Sequence, residues 1–154
     1  MIAVPQTESP RAQAPASSVA GRPAASTPRV APLYVVDDEA MVGEVLQAIL
    51  QMAGFEVEVF QEPLLALHTL AEARVRPHLL LTDFAMGPVN GLELIHACKL
   101  VAPRLKTILI GGRLTFEVAP GDAFHPDRFL AKPFQPQLLL KAVRDVLALG
   151  AAAV

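Results

Sequence analysis

Two short apolar runs in this 154-residue sequence end in carboxylates. Leu33–Val36 is followed by Asp37 and Asp38, and the run that begins at Leu79 ends at Asp83. An unbroken apolar run of this length is typical of a strand that helices bury on both faces. In open parallel sheets, ligands bind outside the carboxyl ends of the strands, which is where these acids would lie. Taken alone, Asp83 could equally cap a turn.

Two further apolar runs end in residues suited to an anion. Gly111 and Gly112 follow one run, and Lys132 follows another. If the runs are parallel strands, all these ends share one edge of the sheet. Clustered carboxylates repel one another, and a hard cation such as Mg²⁺, which prefers oxygen ligands, would compensate them. A lysine at the same edge would pair with a carboxylate or, when one is present, with a phosphoryl group.

The segments between these runs have helical character. Apolar residues recur at helical spacing from Glu39 to about Ala53, after Pro63, after Gly91 and after Pro136. Phe55–Phe60 alternates like a strand with one more exposed face. Strand and helix thus alternate five times, although Pro120-Gly121 allows only a short helix between the last two strands. This order predicts an α/β fold: a flavodoxin-like (βα)5, doubly wound, five-stranded parallel sheet with strand order 2-1-3-4-5.

Composition divides the chain into three parts. Residues 1–32 are rich in Pro, Ala and Ser and are expected to be a disordered extension; residues 33–149 form the domain, and 150–154 a tail. The extension carries three Arg and one Glu (+2), which leaves ten basic and fourteen acidic residues (−4) for the rest. An acidic domain argues against direct nucleic-acid binding. The single cysteine, Cys98, is expected in the core.

Targeting features are not apparent in the sequence. We expect no signal peptide and no membrane association, because no apolar run approaches ~18 residues. A cytoplasmic location is the resulting prediction.

The motifs together resemble the response-regulator receiver domain of two-component systems. The resemblance is carried by Asp37-Asp38, by Asp83 with Met86 and Asn90-Gly91, and by Lys132-Pro133-Phe134. It covers roughly residues 33–149. Each motif is weak alone, but their order and spacing together are specific.

The resemblance implies a role for each matching residue. Asp83 would be the phosphoacceptor. Asp38, Asp83 and the backbone carbonyl of Ala85 would hold Mg²⁺, and Asp37 would act through a bound water. Lys132 would pair with a phosphoryl oxygen.

Four other positions are implied to support this site. Pro133 would follow a cis peptide bond, and the Gly112 N–H would contact the phosphoryl group. Phe129 matches the aromatic switch residue, although a core phenylalanine explains it almost as well. Arg113 could contact the phosphate or simply be solvated.

The sequence departs from the family pattern at two places. Gly87 stands where the family has proline, with Pro88 one residue later. Gly111 stands where the family has Ser or Thr, whose hydroxyl contacts the phosphoryl group. Glycine cannot make that bond. We therefore expect an atypical switch.

The leading hypothesis is a phosphoacceptor whose partner is a histidine kinase or a histidine phosphotransfer protein. Only one helix is predicted after Lys132, so output is expected through a protein partner, with a homodimer left open. Any catalysis would be limited to its own phosphorylation and dephosphorylation. The alternative is a non-switching pseudo-receiver that acts as an interaction module. An aspartate-nucleophile hydrolase would want an acidic or polar residue at Ala85, and no nucleotide-binding motif occurs.

Overall fold

The structure, a computed structural model, describes residues 31–112 and 125–152. In these ranges the chain forms β1 (Leu33–Val36), α1 (Ala40–Met52), β2 (Val57–Phe60), α2 (Pro63–Glu72), β3 (Leu79–Asp83), α3 (Gly91–Val101), β4 (Lys106–Gly111), β5 (Arg128–Ala131) and α4 (Pro136–Ala152). None of these helices combines the length and apolarity needed to cross a bilayer. The predictions for residues 1–30, Arg113 and Pro120-Gly121 concern segments outside the described residues.

The five strands form one parallel sheet in the order β2-β1-β3-β4-β5. The predicted flavodoxin-like, doubly wound α/β fold is therefore confirmed. In the register between the two neighbouring strands β1 and β3, Val36 lies opposite Thr82. Asp37, the residue after β1, and Asp83, the last residue of β3, consequently lie side by side.

Side chains of the central strands alternate between two apolar layers. Leu33 and Val35 of β1 pack in a cluster with side chains of α1 and α4. Tyr34 and Val36 pack on the opposite face with side chains of α2 and α3. Cys98 lies in this second layer, where burial raises the pKa of its thiol to about 12. It is a packed core residue, as predicted.

Three element boundaries differ from the sequence-based expectation. β2 begins at Val57 because the Phe55 N–H still donates to the Leu50 carbonyl and so closes the end of α1. β4 includes Gly111, which pairs with Ala131 of β5. α4 continues to Ala152, beyond residue 149.

Asp127 joins the start of β5 to β4 and α3. Its Oδ2 accepts a hydrogen bond from the Thr107 N–H at 2.8 Å and lies 3.4 Å from Lys99 Nζ. The Thr107 hydroxyl lies 3.2 Å from the same oxygen, and Thr107 is fully buried. A buried donor that loses its acceptor has no access to water, so this carboxylate matters for stability.

We expect Asp127→Ala to lower the free energy of unfolding by about 1–3 kcal/mol, because it leaves the buried Thr107 N–H without an acceptor. Urea denaturation measures the change. Asp145→Ala is the matched control: its half-buried carboxylate pairs with the partly exposed Lys141 and Arg128 and accepts no buried backbone N–H, so its loss should matter less. A larger loss for Asp145→Ala than for Asp127→Ala would contradict this account.

Candidate functional site

Three carboxylates meet at the carboxyl ends of β1 and β3. One oxygen each from Asp37, Asp38 and Asp83 lies within 4.8 Å of the others. Asp37 and Asp83 are only 2% and 7% exposed, whereas Asp38 is exposed. The structure therefore brings together the three acids that the sequence singled out.

The surroundings of Asp37 disfavour the charged form of its carboxyl. Burial raises the pKa of its carboxyl, and the nearby charges of Asp83 and Asp38 raise it further. A hydrogen bond from the Glu39 N–H to Asp37 Oδ1 at 2.9 Å and the charge of Lys132 oppose that rise. Carboxylate oxygens held this close suit a hard cation that can enter from the exposed side. The donor set thus fits Mg²⁺.

Because the pKa of Asp37 is raised, we expect Asp37→Asn to increase the folding stability in Mg²⁺-free buffer, by an amount that depends on pH. A carboxyl whose folded-state pKa lies above its unfolded value of about 3.9 favours folding below that pH. This contribution is lost as the pH rises through the folded-state pKa. The asparagine variant should therefore be more stable than the parent at pH 7. The amide oxygen can still accept from the Glu39 N–H.

Thermal unfolding with EDTA at pH 7 and near pH 3.5 checks this prediction. The advantage of the variant should shrink in acid, where the parent carboxyl is largely protonated in both states. A variant less stable than the parent at pH 7 would contradict it.

Lys132 reaches the cluster from the end of β5. Its Nζ lies 3.0 Å from Asp83 Oδ1. Its backbone N–H donates to the Gly111 carbonyl at 2.9 Å, which fixes the residue at the edge of the sheet. The Lys132–Pro133 peptide bond is cis.

The loop between β3 and α3 is held at both ends. The Phe84 N–H donates to the Ile110 carbonyl at 2.8 Å, and the Phe84 carbonyl accepts from the Gly91 N–H at 2.9 Å. Asn90 and Glu93 form reciprocal side-chain to backbone bonds of 2.9 Å that cap α3. The exposed Ala85 lies in this loop.

Gly87 explains one departure from the family pattern. Its φ is +70°, a left-handed conformation. Proline is confined to φ near −65° and could not occupy this position with the same backbone. The glycine therefore permits a loop path in which Pro88 follows one residue later.

Gly91 is required for a different reason, which is close packing. A Cβ built there would collide with the backbone oxygen of Asp83 and would lie 2.6 Å from Leu109 Cδ1. The start of α3 therefore rests directly on the end of β3. Any side chain at Gly91 would push against the backbone that carries Asp83.

The remaining sequence-predicted positions lie on β4 and β5. Gly111 is buried and ends β4, so it stands between the strand of Asp83 and that of Lys132. Gly112 follows and is exposed. Phe129 is half-buried in β5 against the α2–α3 apolar layer. That position is compatible with a switch residue and with a core phenylalanine.

The structure also reveals an apolar groove that the sequence reasoning missed. It has a volume of about 500 Å³, and its lining residues include Met41 and Val45 of α1, and Lys132, Pro133 and Phe134. Met41 and Val45 are 78% and 57% exposed. Their i, i+4 spacing outside the core-facing stripe of α1 was the available signal. We call this feature the α1 groove; Lys132 belongs both to it and to the carboxylate cluster.

Comparison with known families identifies this architecture. The model of the response regulator receiver domain matches residues 33–144. The chain belongs to this family. Receiver domains are signalling modules of two-component systems rather than conventional enzymes, and they interact with histidine kinases and downstream partners. They generally bind Mg²⁺ at an acidic pocket.

Individual relatives agree with the receiver-domain assignment. The DNA-binding response regulator MtrA of Mycobacterium tuberculosis is 30% identical over 112 residues, which are 73% of this chain and 48% of MtrA. The response regulator MprA of Mycobacterium leprae is 32% identical over 117 residues, 75% of this chain and 50% of MprA. The chain thus spans about half the length of the curated relatives it matches.

A solved structure supports the same conclusion. The chemotaxis response regulator CheY4 of Vibrio cholerae is 27% identical and superposes with a TM-score of 0.66. The match covers 76% of this chain and 98% of CheY4.

Proposed function

We propose that this receiver domain is a phosphoacceptor, in which Asp83 takes a phosphoryl group from the phosphohistidine of a histidine kinase or histidine phosphotransfer protein. The observation that carries the proposal is the 3.0 Å contact between Lys132 Nζ and Asp83 Oδ1 beside the carboxylates of Asp37 and Asp38. A carboxylate held between acids and a lysine, at the open end of a sheet, is suited to nucleophilic attack on phosphorus.

The proposed transfer exchanges one bond to phosphorus for another. An oxygen of Asp83 attacks the phosphorus, and an O–P bond forms as the P–N bond of phosphohistidine breaks. The imidazole nitrogen leaves with the bonding electron pair and takes up a proton. Lys132 moves from the Asp83 carboxylate to the phosphoryl oxygens, where its charge offsets the negative charge that Asp83 has gained. The Gly112 N–H is proposed as a further phosphoryl donor.

The residues that would hold Mg²⁺ follow from the same cluster. Asp38, Asp83 and the backbone carbonyl of Ala85 are the proposed ligands, with Asp37 acting through a water. When bound, the ion offsets part of the negative charge on the carboxylates and on the phosphoryl oxygens. The raised pKa of Asp37 supports this assignment, since a cation would relieve the repulsion that contributes to it.

The α1 groove is the proposed docking surface for the phosphodonor protein. Its apolar residues Met41 and Val45 are exposed, and Lys132 connects it to Asp83. A partner that buries these side chains would therefore hold its phosphohistidine near the acceptor. The cytoplasmic location and the homodimer stay predictions.

The readout of phosphorylation is proposed to be atypical. Gly111 ends β4 between Asp83 and Lys132 but has no hydroxyl for the phosphoryl group. A conformational change requires contacts that differ between two states, and this contact is missing. The same observation favours the alternative, a pseudo-receiver that keeps the pocket without switching.

Titration with beryllofluoride and Mg²⁺ tests the proposal by NMR. Saturable amide shifts around Asp83 are expected, whereas a pseudo-receiver that does not bind the phosphoryl mimic would show none. Gly111→Ser restores a hydroxyl and should extend the shifts into β5, including Phe129. If the serine variant and the parent respond identically, the missing hydroxyl has no consequence for the switch.

A further inference from the structure

A second groove lies toward the amino ends of β1 and β2, at the opposite end of the sheet from Asp83. It has a volume of about 430 Å³. Its floor includes Tyr34 and Glu58, and Pro32 lines it where the described part of the chain begins. We call it the β2 groove. None of its lining residues belongs to the carboxylate cluster or to the α1 groove.

The β2 groove is acidic. Glu56, Glu58 and Glu72 line it against a single arginine, Arg74. Within residues 31–112 and 125–152, neither Glu56 nor Glu58 has a basic group within 4.0 Å. Glu72 lies 3.4 Å from His68, which counts as a cation only when protonated. The groove therefore favours a positively charged occupant.

Tyr34 provides a second, independent observation. Its side chain is almost entirely buried, with 3% exposed, yet it lines the β2 groove. In the described part of the chain, every fully buried side-chain N or O atom has a hydrogen-bond partner, whereas the Tyr34 hydroxyl makes no hydrogen bond. The hydroxyl oxygen thus cannot be fully buried. This hydroxyl therefore opens onto the groove. Burial and then the charge of Glu58 raise the pKa of Tyr34, which places a carboxylate near the hydroxyl.

A guanidinium group suits this pair of acceptors. It carries five N–H donors in a planar fork and stays charged at all physiological pH values. One guanidinium can thus donate to the Tyr34 oxygen and to Glu58 together. An ammonium group is a more strongly hydrated point charge, so it loses more on entering a partly buried groove.

The chain carries such a group a few residues before the groove in sequence. Residues 1–30 contain Arg11, Arg22 and Arg29 against one acidic residue, Glu8. Arg29 precedes Pro32 by three residues, a span of at most about 11 Å between Cα atoms. A tethered group acts at an effective concentration on the order of millimolar, so even a weak site would be occupied.

We propose that the β2 groove is the docking site of the chain's own N-terminal segment, residues 1–30, and that it binds the side chain of Arg29 through Tyr34 and Glu58. The segment is thereby held at the end of the sheet away from Asp83, so phosphorylation does not require its release. The contact is electrostatic at a partly open site and is weakened by salt.

NMR of the full 154-residue chain tests this proposal directly. Tyr34 is the single tyrosine in the sequence, so ring-labelled tyrosine reports on the groove alone. Arg29→Gln should shift the Tyr34 ring signals and the amides of Glu56, Glu58 and Glu72. Arg11→Gln, the same charge change 21 residues from Pro32, is the matched control and should leave these signals unchanged.

Salt dependence and a variant of the β2 groove provide two further tests. Raising the salt from about 0.02 M to about 0.3 M shortens the Debye length to under about 6 Å and should at least halve the difference between Arg29→Gln and the parent. In a Glu58→Gln background, Arg29→Gln should have at most half its effect. Equal shifts for Arg29→Gln and Arg11→Gln, or no shift for either, overturn the proposal. A shift that changes on protein dilution also overturns it, because the occupant would then come from a second copy.

Discussion

Asp83→Asn is expected to keep its unmodified mass after incubation with acetyl phosphate and Mg²⁺, whereas the parent gains one phosphoryl group. Asparagine has nearly the same shape but lacks the anionic oxygen that attacks phosphorus. It also removes the negative charge that Lys132 contacts at 3.0 Å. Intact-mass spectrometry measures the outcome, and we expect the modification to fall below detection.

The control for this experiment is Asp145→Asn. It makes the same chemical change at a half-buried position of α4, outside the carboxylate cluster, and should be phosphorylated like the parent. An Asp83→Asn chain that gains the phosphoryl mass at the parental rate would place the acceptor elsewhere. Acetyl phosphate needs no protein partner, so the result does not depend on identifying a kinase.

Gly91→Ala is expected to lower the free energy of unfolding by about 2–3 kcal/mol, the upper part of the usual range for overpacking. The new Cβ would meet the backbone oxygen of Asp83, which cannot move aside as a flexible side chain would. It would also press on Leu109 Cδ1 in the core. Because relief requires the end of β3 to shift, phosphorylation of Asp83 should slow as well.

Gly112→Ala is the matched control for stability. Among the described residues, a Cβ at Gly112 has no atom within 4 Å, and the residue does not adopt a positive φ. The free energy of unfolding should therefore change by less than about 0.5 kcal/mol. Urea denaturation compares the two variants. Equal stability of Gly91→Ala and the parent would show that α3 can withdraw from β3 without cost.

The sequence was sufficient to predict the sheet and the cluster at its edge. Right-handed crossovers between parallel strands leave few arrangements, and all of them place the carboxyl ends of the strands together. Asp37, Asp83 and Lys132 were therefore expected to meet without knowledge of any distance. The structure confirmed the predicted strand order, and the match to the receiver-domain model confirmed the predicted family.

Features that depend on contacts between distant segments could not be predicted. The acceptor role of Asp127 toward Thr107 involves residues 20 apart in sequence. The β2 groove is lined by residues of β1, β2 and α2 that are far apart in sequence, which no periodicity describes. The left-handed conformation of Gly87 was visible only as a departure from the family pattern. The φ of +70° that explains this departure is a property of the folded loop.

The dual position of Lys132 has a consequence for chemical control of this receiver. The α1 groove is large enough for part of a small organic molecule, and it is apolar where the Asp83 site is charged. If the phosphodonor protein docks in the α1 groove as proposed, a compound bound there would exclude it while leaving Asp83 open to acetyl phosphate. Such a compound would inhibit phosphorylation by the protein donor but not by acetyl phosphate. The difference would distinguish binding of the donor protein from the reaction at Asp83.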